Sequence, residues 1–267
     1  MVLRGKLWQR VQVAALSSIL IYILSACTAI TYEDNSSFTV INIRTFDRAQ
    51  LGYLLKKVVE NKPKLVLLDF RLSQRKDPYA DSIFQQAVIN SAYTPLIYAS
   101  SFRVFEVVED SIIASDLRDT DPYFKKGNST QGYTDTFSRQ IQGKPVMDAY
   151  PAMVYHNNSI QYHAGVICAA TINSEKTEAY LSGFGAKRAL QLKQERIEQY
   201  NTIDLSFEEL QQYDWSEVKG QIVAFGYIGS TDEDKKYTYL NVNDFTYPDT
   251  YGVFIIIEII SEILNIH

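Results

Sequence analysis

The chain is poor in the residues that define several protein classes. It has 2 cysteines, 2 tryptophans, 7 prolines and 12 glycines among 267 residues, which excludes a disulfide framework and a low-complexity chain. Basic residues are also in deficit, with 26 Lys+Arg against 31 Asp+Glu. The resulting net charge of −5 argues against nucleic-acid binding through a broad basic face. The 46% hydrophobic content is typical of a globular protein large enough to bury a core.

The first thirty residues contain the strongest local pattern. Basic side chains at Arg4, Lys6 and Arg10 precede an apolar run over residues 13–24, an arrangement typical of an export signal. The run leads into a Leu-Ser-Ala-Cys sequence ending at Cys27, which resembles the lipobox of bacterial lipoproteins. In that family the chain is cut before the cysteine, and the resemblance implies a diacylglycerol anchor on Cys27.

An uncleaved membrane helix over residues 11–32 is the alternative, because about 20 apolar residues suffice to cross a bilayer. Both alternatives tether the body outside the cytoplasm. Removal of residues 1–26 takes away three basic and no acidic side chains, which leaves a net charge of −8. We therefore expect a signal or membrane segment over 1–26, a polar tether over 27–37 and a single extracytoplasmic domain over 38–267.

Strand and helix patterns alternate in the first part of the body. Asp47 and Asp77 are suited to cap two helices, and Pro63 and Pro78 are suited to end the first and begin the second. Runs at 38–44, 64–69 and 95–99 predict three strands around them. This β-α-β-α-β order predicts an α/β fold with a mostly parallel central sheet flanked by helices in three layers.

The remaining segments are assigned from turns, caps and apolar runs. We expect a loop excursion without regular structure over 101–150. The other predicted elements are a hairpin turning at Asn157-Asn158, a buried helix from His163 to Thr171 that contains a structural Cys168, an outer helix over 187–200, a helix capped by Ser206, an interior strand over 221–226 and an amphipathic closing helix over 252–264.

Four ordered blocks of the body resemble the CHASE-two family of extracytoplasmic sensory domains. The blocks are the stretch 63–70 ending in Asp69 and Phe70 with Asp77 and Asp81 downstream, the segment 153–170, the strand segment 218–226, and a later acid at Asp232 or Asp234 followed by Gly252-Val253. The resemblance covers about residues 38–264 and implies a sensor of the periplasm or cell surface. Members of the family are usually fused to a kinase or cyclase.

Two features depart from the family pattern. We expect no output domain within these residues, so the resemblance implies that the chain acts through an envelope signalling protein. The polar residues that usually follow the closing Gly-Val pair are replaced here by apolar ones and Glu258.

Candidate ligand-binding residues lie where predicted strands end. Asp69 follows one buried strand and Gly226 ends another, and open α/β sheets bind ligands at that edge. Asp232 and Asp234 lie in an acidic loop that follows, and carboxylates suit a hard cation. The alternative is that Asp69 caps a turn and the acidic loop is solvated. Three basic residues near Asp69 offer a second chemistry, the binding of an anion, and a solvated charged loop is the alternative: Arg71, Arg75 and Lys76.

Three functions remain open on this evidence. The first is a membrane-tethered sensory or ligand-binding module without enzymatic activity or cofactor, for which the ligand is an unknown small molecule. The second is a metal-assisted envelope hydrolase that uses Asp69 with Asp232 or Asp234. The third is a structural lipoprotein that oligomerises through residues 252–264. No hydrolase elbow, dinucleotide fingerprint or phosphate-binding loop occurs in the sequence.

Overall fold

Strands make up the centre of the protein. A computed structural model describes residues 37–109, 111–183, 186–229, 235–240 and 249–265. All of them belong to the compact unit Asn35–His267. In these ranges the strands are β1 (Phe38–Asn42), β2 (Leu65–Leu68), β3 (Leu96–Val108), β4 (Ser111–Arg118), β5 (Ser129–Tyr133), β6 (Phe137–Ile141), β7 (Lys144–Pro151), β8 (Met153–His156), β9 (Ser159–Tyr162), β10 (Lys187–Ala189), β11 (Asn201–Ile203), β12 (Ile222–Gly226), β13 (Lys235–Lys236) and β14 (Thr250–Tyr251).

The helices begin at caps that the sequence makes recognisable. Asp47 accepts the N–H of Gln50 in a capping box, and Asp77 accepts the N–H groups of Tyr79 and Ala80. Within the described ranges the helices are α1 (Arg48–Glu60), α2 (Pro78–Asn90), α3 (Ala164–Ile172), α4 (Ser174–Ser182), α5 (Gln194–Ile197), α6 (Phe207–Gln212), a 3₁₀ turn (Trp215–Val218) and α7 (Gly252–Leu264). None of these helices has both the length and the apolar character needed to cross a membrane.

The main sheet is parallel at its centre and antiparallel at one side. Its order is β11-β1-β12-β2-β3-β4-β8-β9, and β5 pairs with β3. All pairings from β11 to β3, and that of β3 with β5, are parallel. The second half of β3 leaves this parallel region and pairs with β4 in an antiparallel hairpin.

Alternate residues of the central strands face two separate helix layers. Leu65 and Leu67 of β2 pack on the side of α3 and α7, whereas Val66 and Leu68 pack on the side of α1 and α2. All four side chains are fully buried. A strand buried on both faces needs such a continuous apolar run. The predicted three-layer α/β architecture with a mostly parallel sheet is confirmed.

Several local predictions hold. Asn157 and Asn158 turn the β8–β9 hairpin with positive φ values of 47° and 60°, the backbone geometry that such two-residue turns require. His163 is the N-cap of α3, and Cys168 lies inside that helix, fully buried. Burial raises the pKa of the Cys168 thiol far above its usual range, so this cysteine is an inert core residue.

Two segments differ from the predictions. The expected loop over 101–150 contains the outer half of β3 and the strands β4 to β7. The β3–β4 and β6–β7 pairs are antiparallel hairpins, and β5 pairs in parallel with the first half of β3. The expected outer helix over 187–200 is instead the short strand β10 and the one-turn helix α5. Contacts with α7 hold this segment in its irregular path: Lys193 N–H lies 3.3 Å from Glu258 Oε2.

α7 is buried on almost all sides, so the prediction of an amphipathic closing helix is wrong. Of the polar residues of the expected outer face, Glu258 and Ser261 are fully buried and Glu262 is half-buried. The apolar residues that an oligomeric interface would use pack within the chain, against the sheet and α3. The interface expected over 252–264 is therefore corrected to an intramolecular core.

Candidate functional site

The carboxyl ends of the parallel strands meet at one edge of the sheet. The chain after β1 and β2 leads to α1 and α2 on one face, whereas α7, which follows β12, packs on the other face. β12 lies between β1 and β2 in the sheet. Neighbouring strands therefore lead to helices on opposite faces at this point. Such a switch point is where open α/β sheets usually bind ligands.

The protein's own side chains fill this switch point. Asn42, at the end of β1, accepts the N–H of Ile228 at 2.8 Å and that of Arg44 at 3.1 Å. Its amide donates to Asp204 Oδ1 at 2.7 Å, after β11. Asn42 is 2% exposed. The buried amide therefore joins the loops after three neighbouring strands, and this position is structural.

Gly226 serves helix packing at the same edge. A Cβ atom on Gly226 would lie 2.5 Å from the Cβ of Val253 at the start of α7. The missing side chain thus makes room for α7 rather than for a ligand. Gly226 remains close to the edge, where its carbonyl accepts the N–H of Ile43 at 3.0 Å.

Asp69 lies at the edge as the sequence predicts. It follows β2, its N–H donates to the Phe225 carbonyl at 2.9 Å, and it is half-buried. Asp232, Asp234 and Cys27 lie outside the described residues. Among the residues that are described, no group of three His, Cys, Asp or Glu side chains is arranged to hold a metal ion.

The loop that follows Asp69 brings Arg71 to β3. The Arg71 guanidinium donates from Nη1 to the Ser101 hydroxyl at 2.6 Å. Ser101 stands where β3 leaves the parallel region and begins its pairing with β4. Arg75, further along the same loop, lies over the Tyr123 ring instead, 5.3 Å from its centroid.

A buried ion pair between α1 and α2 holds the same loop in position. Asp81, on α2, is 1% exposed and pairs with Arg48 of α1. It also accepts the N–H of Lys76 at 2.8 Å, and Arg48 Nη2 donates to the Gln74 carbonyl at 2.7 Å. Burial opposes ionisation of Asp81, but the hydrogen bonds from Arg48 and Lys76 outweigh it and hold the pKa of the carboxyl below its usual range.

Asp135 brings a titratable carboxyl group to the Arg71 side of the edge. It lies just after β5, and its Oδ2 accepts the N–H of Phe102 at 2.8 Å. Burial raises the pKa of this carboxyl to about 6, although the Phe102 N–H and the positive charges of Arg71 and Arg118 act in the opposite direction. Asp135 therefore changes its charge near neutral pH.

Arg118 reaches the same place from β4. It is directly opposite Ser101 in the β3–β4 register. Residues directly opposite in an antiparallel pair project from the same face of a sheet. We name Arg71, Ser101, Arg118 and Asp135 the carboxyl-edge cluster. Its two arginines are exposed, and Ser101 and Asp135 are half-buried.

His163 supports the strand that leads to Asp135. It is fully buried, and its Nδ1 accepts the N–H of Gly165 at 3.1 Å. Burial lowers the pKa of this imidazole to about 3, with the Thr134 backbone acting in the opposite direction. A Cβ on Gly132 would lie 2.6 Å from the Cα of Ala164. α3 and β5 are thus packed tightly just before Asp135.

The sequence predicts only part of this site. Asp69 is visible because it follows a recognisable buried strand, whereas Arg71 is visible only as one of three basic residues in the loop that follows. Ser101, Arg118 and Asp135 lie in the segment 101–150, for which the sequence predicts a loop. The Ser-Ser pair that ends the apolar run at 96–99 was the one available indication that β3 changes its environment there.

Comparison with known proteins adds nothing to these observations: no family model, curated protein or solved structure matches the chain.

Proposed function

We propose that the protein is a membrane-tethered, extracytoplasmic sensory module that binds a small ligand at the carboxyl-edge cluster. The main support is the convergence of four residues from four separate segments at the edge where open α/β sheets usually bind ligands: Arg71, Ser101, Arg118 and Asp135. The cluster combines hydrogen-bond donors with a carboxyl group that titrates near neutral pH, a combination that recurs at functional sites.

The tether and the partner belong to the same proposal. The basic residues, apolar run and Cys27 support export and lipidation, and an uncleaved N-terminal helix is the alternative anchor. The ordered blocks that resemble the CHASE-two family support a sensory role. Signalling then requires that the ligand-bound body contacts an envelope signalling protein.

A thermal-shift screen tests ligand binding. The full-length chain in a non-ionic detergent is heated with single metabolites, short peptides or metal ions. A ligand present at 100 times its Kd adds about 2.7 kcal/mol of stability, which raises the Tm by about 5–10 °C in a chain of this size.

The matched variants are Arg71→Gln and Arg75→Gln, since both residues are arginines of the same exposed loop. A ligand of the cluster stabilises the wild type and Arg75→Gln but not Arg71→Gln. If every compound that raises the Tm of the wild type raises that of Arg71→Gln by the same amount, the proposed site is wrong.

Counting reactive thiols tests the tether. The chain has 2 cysteines, and Cys168 is fully buried. Lipidated protein extracted from membranes therefore exposes one thiol after denaturation in urea and none before. Two thiols in urea would show that Cys27 is unmodified, and an uncleaved helix would then be the anchor.

Affinity purification from crosslinked membranes tests the partner. The wild type retains the signalling protein in a ligand-dependent manner, whereas Arg71→Gln retains it equally with and without ligand. If the wild type and Arg71→Gln retain the signalling protein equally, with and without ligand, a sensory role is contradicted.

A further inference from the structure

One arginine of the carboxyl-edge cluster contacts the Ser101 hydroxyl, and a second is paired with Ser101 across the β3–β4 hairpin. Arg71 contacts Ser101 directly through Nη1, at 2.6 Å. Arg118 projects from the same face of the sheet as Ser101, because the two residues are paired across β3 and β4. The exposed arginines are thus held beside Ser101 from two different segments, one a loop and the other a strand.

Three other arginines among the described residues each pair with a carboxylate of their own. Arg44 pairs with Asp204, Arg48 with Asp81 and Arg103 with Asp116. In the carboxyl-edge cluster, by contrast, Arg71 and Arg118 both act on Asp135. Asp135 is held by the Phe102 N–H at the edge of β3. Two positive charges that share one carboxyl group leave a position for a second anion.

From this arrangement, and on the premise that the cluster is the ligand site proposed above, we infer that its ligand is a small carboxylate bound between Arg71 and Arg118. The planar guanidinium fork matches the two oxygens of a carboxylate. Arg71 uses one of its five N–H donors on Ser101, and the others remain for the ligand. The Ser101 hydroxyl accepts from Arg71 and has its own proton to donate to the ligand.

Asp135 makes the binding dependent on pH. The groups that act on it are the Phe102 N–H of β3, Arg71 from the loop after β2 and Arg118 from β4. Asp135 in turn raises the pKa of Tyr133 in β5. Below pH 6 the Asp135 carboxyl is protonated and offers an O–H to the bound carboxylate. Above pH 6 it is a second anion beside the ligand. A ligand that binds only the protonated form is bound roughly 50- to 100-fold more weakly at pH 8 than at pH 5.5.

Isothermal titration of the full-length chain in a non-ionic detergent tests the inference. The probes are lactate, succinate, alanyl-alanine, alanyl-alanine amide and inorganic phosphate, each at pH 5.5 and pH 8.0. We expect one or more of the three carboxylates to bind at pH 5.5 and the amide not to bind. Binding of lactate or succinate would identify a free metabolite as the source of the carboxylate. Binding of alanyl-alanine would identify a peptide carboxyl terminus instead.

Single variants separate the roles of the residues. Arg71→Gln and Arg118→Gln each weaken binding by 10-fold or more, whereas Arg75→Gln and Arg103→Gln change it by less than 2-fold. Asp135→Asn keeps an oxygen that accepts the Phe102 N–H and has no charge at either pH. Its affinity for the carboxylate therefore loses the dependence on pH.

The outcomes separate this inference from the proposed function. Equal binding of the dipeptide and its amide, tighter binding of phosphate than of any carboxylate, or a wild-type affinity independent of pH would each overturn the inference. A different compound whose binding depends on Arg71 would leave the proposed function intact. Only the absence of any Arg71-dependent ligand would overturn both.

Discussion

Glu258 on α7 and Arg196 on α5 form a buried bidentate ion pair. Arg196 Nε lies 3.0 and 3.1 Å from the two carboxylate oxygens, and Nη2 lies 2.8 Å from Oε2. Glu258 is completely buried, and Arg196 is 12% exposed. The Tyr200 hydroxyl donates to the same carboxylate. This pair holds the irregular segment before β11 against the apolar closing helix.

Breaking this pair strongly destabilises the fold. Replacement of Arg196 by Met leaves the Glu258 carboxylate buried without its cationic partner, which costs about 3–5 kcal/mol of unfolding free energy. The double variant Arg196→Met/Glu258→Leu recovers most of that loss because no buried charge remains. Urea unfolding followed by circular dichroism measures both values.

The exposed pair of Lys56 and Glu60 supplies the control. Their side chains are 54% and 52% exposed and lie 3.8 Å apart on α1. Lys56→Ala is expected to cost about 0.5 kcal/mol or less. The prediction for Arg196 is wrong if Arg196→Met costs no more than Lys56→Ala.

His163 makes the protein less stable in acid. The pKa of its buried imidazole is about 3 in the folded protein, against about 6.5 in the unfolded chain. Above pH 6.5 the imidazole is neutral in both states, and its contribution to stability is complete. As the pH falls from 6.5 towards 3, only the unfolded chain takes up the proton. The unfolding free energy therefore decreases by about 1.4 kcal/mol per pH unit.

The variant His163→Asn isolates this effect. Asparagine accepts the N–H of Gly165 as an N-cap but does not titrate. Asp135 changes the unfolding free energy in the opposite direction, because the pKa of its carboxyl is raised in the folded protein. Its contribution to stability is complete below about pH 3.8 and is lost as the pH rises through 6. Asp135 is present in both proteins, so it cancels in the comparison. Urea unfolding at pH 7, 6 and 5 gives the unfolding free energy of both proteins. If it decreases equally with falling pH in the wild type and in His163→Asn, the role of His163 is ruled out.

Local signals explain why much of the fold could be predicted. Asp47 and Asp77 cap their helices through bonds to N–H groups two or three residues away, so the sequence contains all the information needed. The strand that precedes Asp69 is equally local, because its apolar run is buried on both faces. These elements place Asp69 at the carboxyl edge and were sufficient to predict a parallel sheet.

Some of the missed elements depend on partners that are distant in the sequence. β3 pairs with β2 and β5 in its first half and with β4 in its second. The pattern of apolar and polar residues over 96–108 does not indicate that change of partner. Asp135 meets Phe102 only because β5 returns beside β3. The path of residues 187–200 is likewise determined by Glu258, a residue of the last helix.

Asp81 determines the position of the loop that contains Arg71. The hydrogen bonds from Arg48 and the Lys76 N–H are made to a charged, buried carboxylate, and such bonds contribute about 1.5–3 kcal/mol each. Asp81→Asn is expected to lose roughly 2 kcal/mol of unfolding free energy and to increase amide hydrogen exchange over residues 73–77. Asp116→Asn is the control, since its pair with Arg103 is about half exposed. Unchanged exchange over 73–77 would refute the assignment.

Gly226 and Val253 test whether this edge position serves packing or a ligand. Gly226→Ala introduces a methyl group 2.5 Å from the Val253 Cβ, an overlap that costs about 1–3 kcal/mol of unfolding free energy. Val253→Ala removes the two γ-methyl groups that lie 2.7 and 2.8 Å from the added carbon and keeps the Cβ, so it relieves part of the overlap. The double variant is therefore more stable than the sum of the single losses predicts, and a double-mutant cycle in urea measures the coupling. If Gly226→Ala is tolerated without loss, the close approach of α7 to β12 is not what requires glycine here.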